Sequence, residues 1–147
     1  MEIEKKYTIK QLPDNLEAYD HHDIEQAYLN TDPVVRIRKE DETYYLTYKG
    51  AGLMAREEYN LPLNRESYYH LRDKVDGNII TKRRYLIPLK TVGLTVELDV
   101  FEPPLAPLII AEVEFPDLKR AADFIPPDWF LDDVTHDGRY HNSNLSK

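Results

Sequence analysis

Hydrophobic and polar residues alternate one by one along most of the chain, in short segments separated by turn residues. A period of two sends successive side chains to opposite faces of an extended strand, so the pattern predicts antiparallel β structure. Strands are expected near 2–10, 25–30, 34–39, 43–50, 55–61, 78–88, 94–102 and 108–115. QLPDN, NTDP, KEDET and KGAG supply turn chemistry between them, and LKTVGLTV reads as a hairpin turning near Val92 and Gly93. About eight strands with mostly short connections predict a closed barrel or a strongly curved sheet, because closure removes exposed edges. Two segments switch to helical spacing. Asn64 caps RESYYHLRDKV, where Tyr68, Leu71 and Val75 share a face, and Asp117 caps LKRAADFI, which Pro126 and Pro127 end. Both helices are expected to pack outside the sheet, and NSNLSK reads as a last helical turn.

The polar half of the alternation is sorted by sign. EIEKK gives Glu2, Glu4 and Lys6 on one face, VRIRK gives Arg36 and Arg38, and YLTYK ends in Lys49. REE gives Arg56 and Glu58, KRRY gives Lys82 and Arg84, VELDV gives Glu97 and Asp99, and AEVEF gives Glu112 and Glu114. Charges pointing into water, with apolar residues facing a core, would be the ordinary arrangement. Like charges along one strand face repel, however, and a wet surface would interleave the signs. The other arrangement is an inside-out barrel, with its apolar face under helices and its charged face lining a lumen. Such a lumen must be internally matched. Seven basic candidates against seven acidic ones leave it neutral, and two divalent cations would bring it to about +4, close to the charge of a triphosphate.

Composition narrows the partners. The chain has 147 residues, 41% hydrophobic and 31% charged, which fits one soluble domain spanning 1–147. A net charge of -8 argues against a nucleic-acid backbone as partner. With no cysteine there is no disulfide and no thiolate metal site. No apolar run approaches the length of a membrane span, so no membrane partner is expected and cytoplasm is the default location. His21 and His22 are read as solvated loop residues, Trp129 and Phe130 as core and Asn142 as a helix cap, while reach into the lumen is the less favoured reading of Arg139. A homodimer is the one protein partner left open.

The ordered segments QAYL, VRIRK, LTYKG, REEYN, TKRRY, VELDVF, AEVEF and DVTHDGRYHNSNL, with the ExExK signature at Glu2-Ile3-Glu4-Lys5-Lys6, extend over nearly the whole chain. In this series the sequence resembles the CYTH family of triphosphate tunnel metalloenzymes, which includes class IV adenylate cyclases, thiamine triphosphatases and bacterial inorganic tripolyphosphatases. The resemblance implies an eight-stranded antiparallel tunnel that binds a triphosphate with Mg2+ or Mn2+, two ions per site. By matching motif it makes Glu2, Glu4, Asp99, Glu112 and Glu114 metal carboxylates, joined by Glu97 and Glu58. Lys6, Arg36, Arg38, Lys49, Lys82, Arg84 and Arg56 become the phosphate clamp. Lys82 is the candidate to stabilise or protonate the leaving oxygen, with Tyr28 and Lys6 as further catalytic candidates. Carboxylate oxygens suit hard cations, and the absence of HExxH spacing argues against zinc. Hydrolysis of inorganic tripolyphosphate is the first expectation. Adenylate cyclisation, thiamine triphosphate hydrolysis and a non-catalytic polyphosphate or nucleotide sensor stand as alternatives.

Overall fold

A computed structural model describes residues 1–147. Ten strands are present: β1 (Glu2–Ile9), β2 (His21–Thr31), β3 (Val34–Glu40), β4 (Thr43–Lys49), β5 (Ala55–Arg56), β6 (Glu58–Leu63), β7 (Asp76–Leu89), β8 (Leu94–Phe101), β9 (Ile109–Glu114) and β10 (Phe130–Asp133). The helices are α1 (Arg65–Arg72), α2 (Leu118–Asp123) and α3 (Asn142–Leu145). All strand pairs are antiparallel, in the order β10-β1-β9-β8-β7-β2-β3-β4-β6, with β5 also on β1. Only Glu57 separates β5 from β6, so one stretch of chain pairs first with β1, through Glu2 and Arg56, and then with β4, through Lys49 and Glu58. That crossing joins the two ends of the sheet and nearly closes the barrel. No helix is long and apolar enough to cross a membrane.

The strand count exceeds the expected eight for two physical reasons. The 55–61 segment breaks at Glu57 because its two parts answer to different neighbours. β10 has only four residues, FLDD, too few to show a period, and it exists because the second half of β1 needs an edge partner. β2 also starts at His21, not near residue 25, because the 14-residue β7 offers a long edge to pair with. His21 and His22 therefore lie on a strand and not in a loop, with His22 Nδ1 2.6 Å from Asp41 Oδ2.

Alternation places the apolar residues outside and the charged ones inside. Tyr7, Val96, Leu98, Val113 and Phe115 form the outer face of β1, β8 and β9, packed under Ala121 of α2 and Phe130. Trp129 packs on the same cluster, its ring 4.6 Å from that of Phe130. Tyr68 of α1, with no exposed surface, covers Ala27, Ile37 and Tyr44 on the opposite side. Both helices start on their expected caps: Asn64 Oδ1 accepts from Ser67 N at 2.7 Å, and Asp117 Oδ1 accepts from Arg120 N at 2.7 Å.

One interior region is not charged. Tyr28, Val34, Ile80, Phe101 and Ile110 cluster at one end of the barrel, where Tyr140 and Leu145 of the C-terminal segment pack on them. Their strand neighbours in register include Arg36, Lys49, Gln26, Lys82 and Asp99, so they share the inward face. The C-terminal segment thus fills that end. Asn78 N donates to Ser146 O there, and Gly77, at φ 69°, leaves room that a Cβ would take from Ser146 O.

Candidate active site

The charged part of the interior forms a cavity of about 340 Å3 whose lining is almost wholly polar. Its two walls differ in kind. On β1, β8 and β9 the register sets Glu4 beside Glu114, Lys6 beside Glu112, and Glu97 beside Glu112. Carboxylate oxygens of Glu4, Glu97 and Glu112 come within 4.8 Å of one another. Burial, followed by the charge of Glu112, raises the Glu4 carboxyl above its usual range. Burial also raises Glu97 against the pull of Arg84, and it raises Glu114 with the help of Glu4 and Glu97. Burial acts on Glu112 in the same direction, but Lys6 and Arg84 outweigh it and hold that carboxyl well below its usual range. Such a crowd of oxygens, with no sulfur or imidazole, is a donor set for a hard divalent cation. The residues fit the metal that the fold class implies.

The facing wall is cationic and short of counter-charge. Arg38 is held flat by Gln26, whose Oε1 accepts from Nε at 3.0 Å and from Nη2 at 2.6 Å, while Glu40 stands off at 3.8 Å. Arg36 has no carboxylate partner. Its Nη2 donates to Thr47 Oγ1 at 3.2 Å, and its buried Nε has no partner in the protein. Burial, then Arg38, lowers the affinity of Arg36 for its proton. A buried guanidinium left this way is costly, and an anion is what would repay it.

The other cations are already spoken for. Lys6 pairs with Glu112 at 2.7 Å and Glu4 at 3.3 Å, and Lys49 with Glu2 at 2.9 Å and Glu58 at 3.3 Å. Burial pushes the Glu58 carboxyl up, yet its hydrogen bond with Glu2 and the charge of Lys49 bring it down to about 2. Arg84 grips Asp99 with two nitrogens, at 2.8 and 3.0 Å, and reaches Glu97 and Glu112. Asp99 has no exposed surface and is also 2.7 Å from Lys82 Nζ, so the structure sets it among cations and apart from the carboxylate trio. Lys82 itself has no exposed side-chain surface and does not line the cavity. Arg56, with Nε 3.9 Å from Glu2, lies at a narrow throat of about 20 Å3 leading from the cavity, together with Tyr28. The Tyr28 hydroxyl accepts from Gln26 Nε2 at 3.4 Å.

Several residues of the site lie outside the charge pattern. Tyr45 and Asn60 line the cavity beside the arginines, and the buried Gln26 and Thr47 hold the arginines from behind. Gln26 alone had a usable signal, since it sits two residues before Tyr28 on the same strand face. The Asn142 side chain caps nothing: His141 holds the N-cap position, and Asn142 Oδ1 accepts from Lys82 Nζ at 3.3 Å. Arg139 does not reach the lumen. It pairs with Asp137 at 2.6 Å, and its side chain is 82% exposed.

A nearly closed barrel whose interior opposes a carboxylate cluster to arginines poor in counter-charge is the class of site suited to a polyanion together with a hard cation. The chain matches the CYTH domain over residues 1–133 and belongs to that family. An inorganic triphosphatase of Nitrosomonas europaea is 37% identical to it over 149 residues, 99% of this chain and 96% of the relative. An inorganic triphosphatase of Acetivibrio thermocellus is 38% identical over 123 residues, 82% of this chain and 76% of that one. A solved inorganic triphosphatase structure superposes with a TM-score of 0.73 at 34% identity, covering 99% of this chain and 94% of its own.

Proposed function

We propose that this chain, acting as a single domain over residues 1–147, hydrolyses inorganic tripolyphosphate with the help of divalent cations, Mg2+ or Mn2+. The observation that carries the reading is the pair of opposed walls in one cavity, with Arg36 free of any carboxylate and Arg38 met only by Glu40 at 3.8 Å, across from Glu4, Glu97 and Glu112. The names of the similar enzymes agree with it.

In this reading Arg36 and Arg38 take the phosphate oxygens, using the forked geometry that guanidinium offers to oxyanions. Lys6, Lys49 and Arg84 each hold two or more carboxylates and add to the clamp by turning toward phosphate. Glu4, Glu97 and Glu112 would hold one cation, and Glu2, Glu58 and Glu114 are the lining carboxylates left for a second. When bound, these cations neutralise charge on phosphate oxygens and acidify water. The reaction is displacement at the terminal phosphorus: a water oxygen forms a new P–O bond, the bridging P–O bond breaks, and orthophosphate and pyrophosphate result. Phosphoryl transfer asks for alignment and charge neutralisation more than for covalent catalysis. The protein supplies both with side chains fixed on strands.

Initial rates of phosphate release from tripolyphosphate, ATP and thiamine triphosphate, each with Mg2+, Mn2+ or chelator, separate the readings. Rapid cation-dependent release from tripolyphosphate, with the other two slow, is the expected result. Pyrophosphate appearing from ATP without orthophosphate would mark a cyclase, and a preference for thiamine triphosphate would reassign the substrate. Binding without turnover of any of them would mark a sensor.

A further inference from the structure

We propose that Asn142 donates hydrogen bonds to a substrate phosphate and that Lys82 acts through it, an assignment that rests on the reading of the tunnel as a triphosphate site. The C-terminal segment carries Asn142 into the barrel. Tyr140 and Leu145 pack on the interior apolar cluster, His141 Nε2 lies 2.8 Å from Thr135 O, and Ser146 O accepts from Asn78 N. Held on both sides, Asn142 lines the main cavity and also its throat, a position it shares only with Arg36.

Lys82 fixes which way the amide points. Burial lowers Lys82 to about 7 against the pull of Asp99, which pairs with it at 2.7 Å; in that pair Lys82 is an ammonium with three donors and no acceptor, so the amide atom 3.3 Å from Nζ is the oxygen. The Nδ2 group is then turned away from Lys82; it makes no hydrogen bond within the protein, and the half-buried Asn142 side chain borders the cavity. Two N–H donors without a partner, beside Arg36 in a cavity built for an anion, fit an acceptor oxygen and nothing cationic. Lys82 cannot offer its own donors there. Its side chain has no exposed surface, being enclosed by Asp99 Oδ2 at 2.7 Å, Asn142 Oδ1, and the ring of Phe101, whose centroid is 5.3 Å away. A cation on the carbonyl side of an amide polarises it and strengthens its N–H donors. Lys82 is therefore a positioning residue, and Asn142 is the group that touches substrate.

Two variants test this through steady-state hydrolysis of tripolyphosphate and thermal melts of the ligand-free protein. Asn142→Ala removes both the donors and the acceptor for Lys82. Asn142→Asp keeps an acceptor for Lys82, and with it the docking of the C-terminal segment, but offers substrate no donor. Both are expected to lose about 10²-fold in kcat/KM, the cost of one well-placed donor to a developing oxyanion, and Asn142→Asp is expected to melt no lower than the wild type. Orthophosphate, used as a competitive inhibitor, should bind both more weakly. If Asn142→Asp keeps wild-type kcat/KM, or if loss of activity in the two variants simply follows loss of melting temperature, the contact is structural and the assignment is overturned. A wild-type protein that releases no phosphate would instead sink the triphosphatase reading itself.

Discussion

Arg36→Met is expected to melt above the wild type and to hydrolyse tripolyphosphate about 10²- to 10³-fold more slowly. The two effects share one cause. Arg36 is a buried cation with no carboxylate within ion-pair distance and one guanidinium nitrogen without a partner, so it costs folding free energy in the absence of an anion. Met is unbranched and fills the space of the Arg stem with neutral, adaptable bulk. Relief of about 1 kcal/mol corresponds to a rise of about 2–4 °C in a domain of this size. The penalty repays itself only when phosphate arrives, which makes the arginine a placed and strained donor. Thermal melts alongside kcat/KM check the claim. A variant that melts lower and works as well as the wild type would show that Arg36 is a structural residue.

The second large effect belongs to the opposite wall. Glu4→Gln should lower turnover by about 10²-fold and move half-activation by Mg2+ or Mn2+ to about 10- to 100-fold higher concentration. It should do so without unfolding the protein. Lys6 exchanges its 3.3 Å ion pair for a neutral amide acceptor and keeps Glu112 at 2.7 Å, and position 4 no longer repels Glu112. The cation-free stability profile should change as well. Glu4, Glu97 and Glu114 have carboxyls raised in the folded state, so the stability they contribute is present below the unfolded carboxylate range and is lost as pH rises through their folded values. Glu112 and Asp99 are lowered and work in the other sense, losing their contribution as pH falls. Removing Glu4 should flatten the decline above the usual carboxylate range. In the wild type, at a pH where Glu4 or Glu97 still carries its proton, cation uptake should release it, which a pH-sensitive dye in weak buffer would register. Wild-type cation dependence in the variant would remove Glu4 from the site.

Much of this architecture is legible in the sequence because a strand sorts its side chains by parity. Pairs such as Glu2 and Glu4, Arg36 and Arg38, or Glu112 and Glu114 announce a charged face before any fold is known, and the apolar residues between them announce the other. Parity does not tell where along a barrel the inward face stops being polar. Tyr28, Ile80, Phe101 and Ile110 occupy the same face as the charges, yet they form the apolar end. Register decides which acid meets which base, so the gathering of Glu4, Glu97 and Glu112, and the capture of Asp99 by Lys82 and Arg84, appear only once strands are paired. Neutral donors such as Gln26, Thr47 and Asn142 carry no charge signature at all. Asn142 is the extreme case, because its place depends on a C-terminal segment folding back into the barrel.

The most direct measurement follows 31P signals of tripolyphosphate mixed with the protein, first with chelator and then with Mg2+, which is diamagnetic, in excess. A stable spectrum with chelator is expected, followed on cation addition by conversion into one orthophosphate and one pyrophosphate per tripolyphosphate consumed. A tripolyphosphate spectrum that stays unchanged with cation present, or that decays equally fast under chelator, would contradict it.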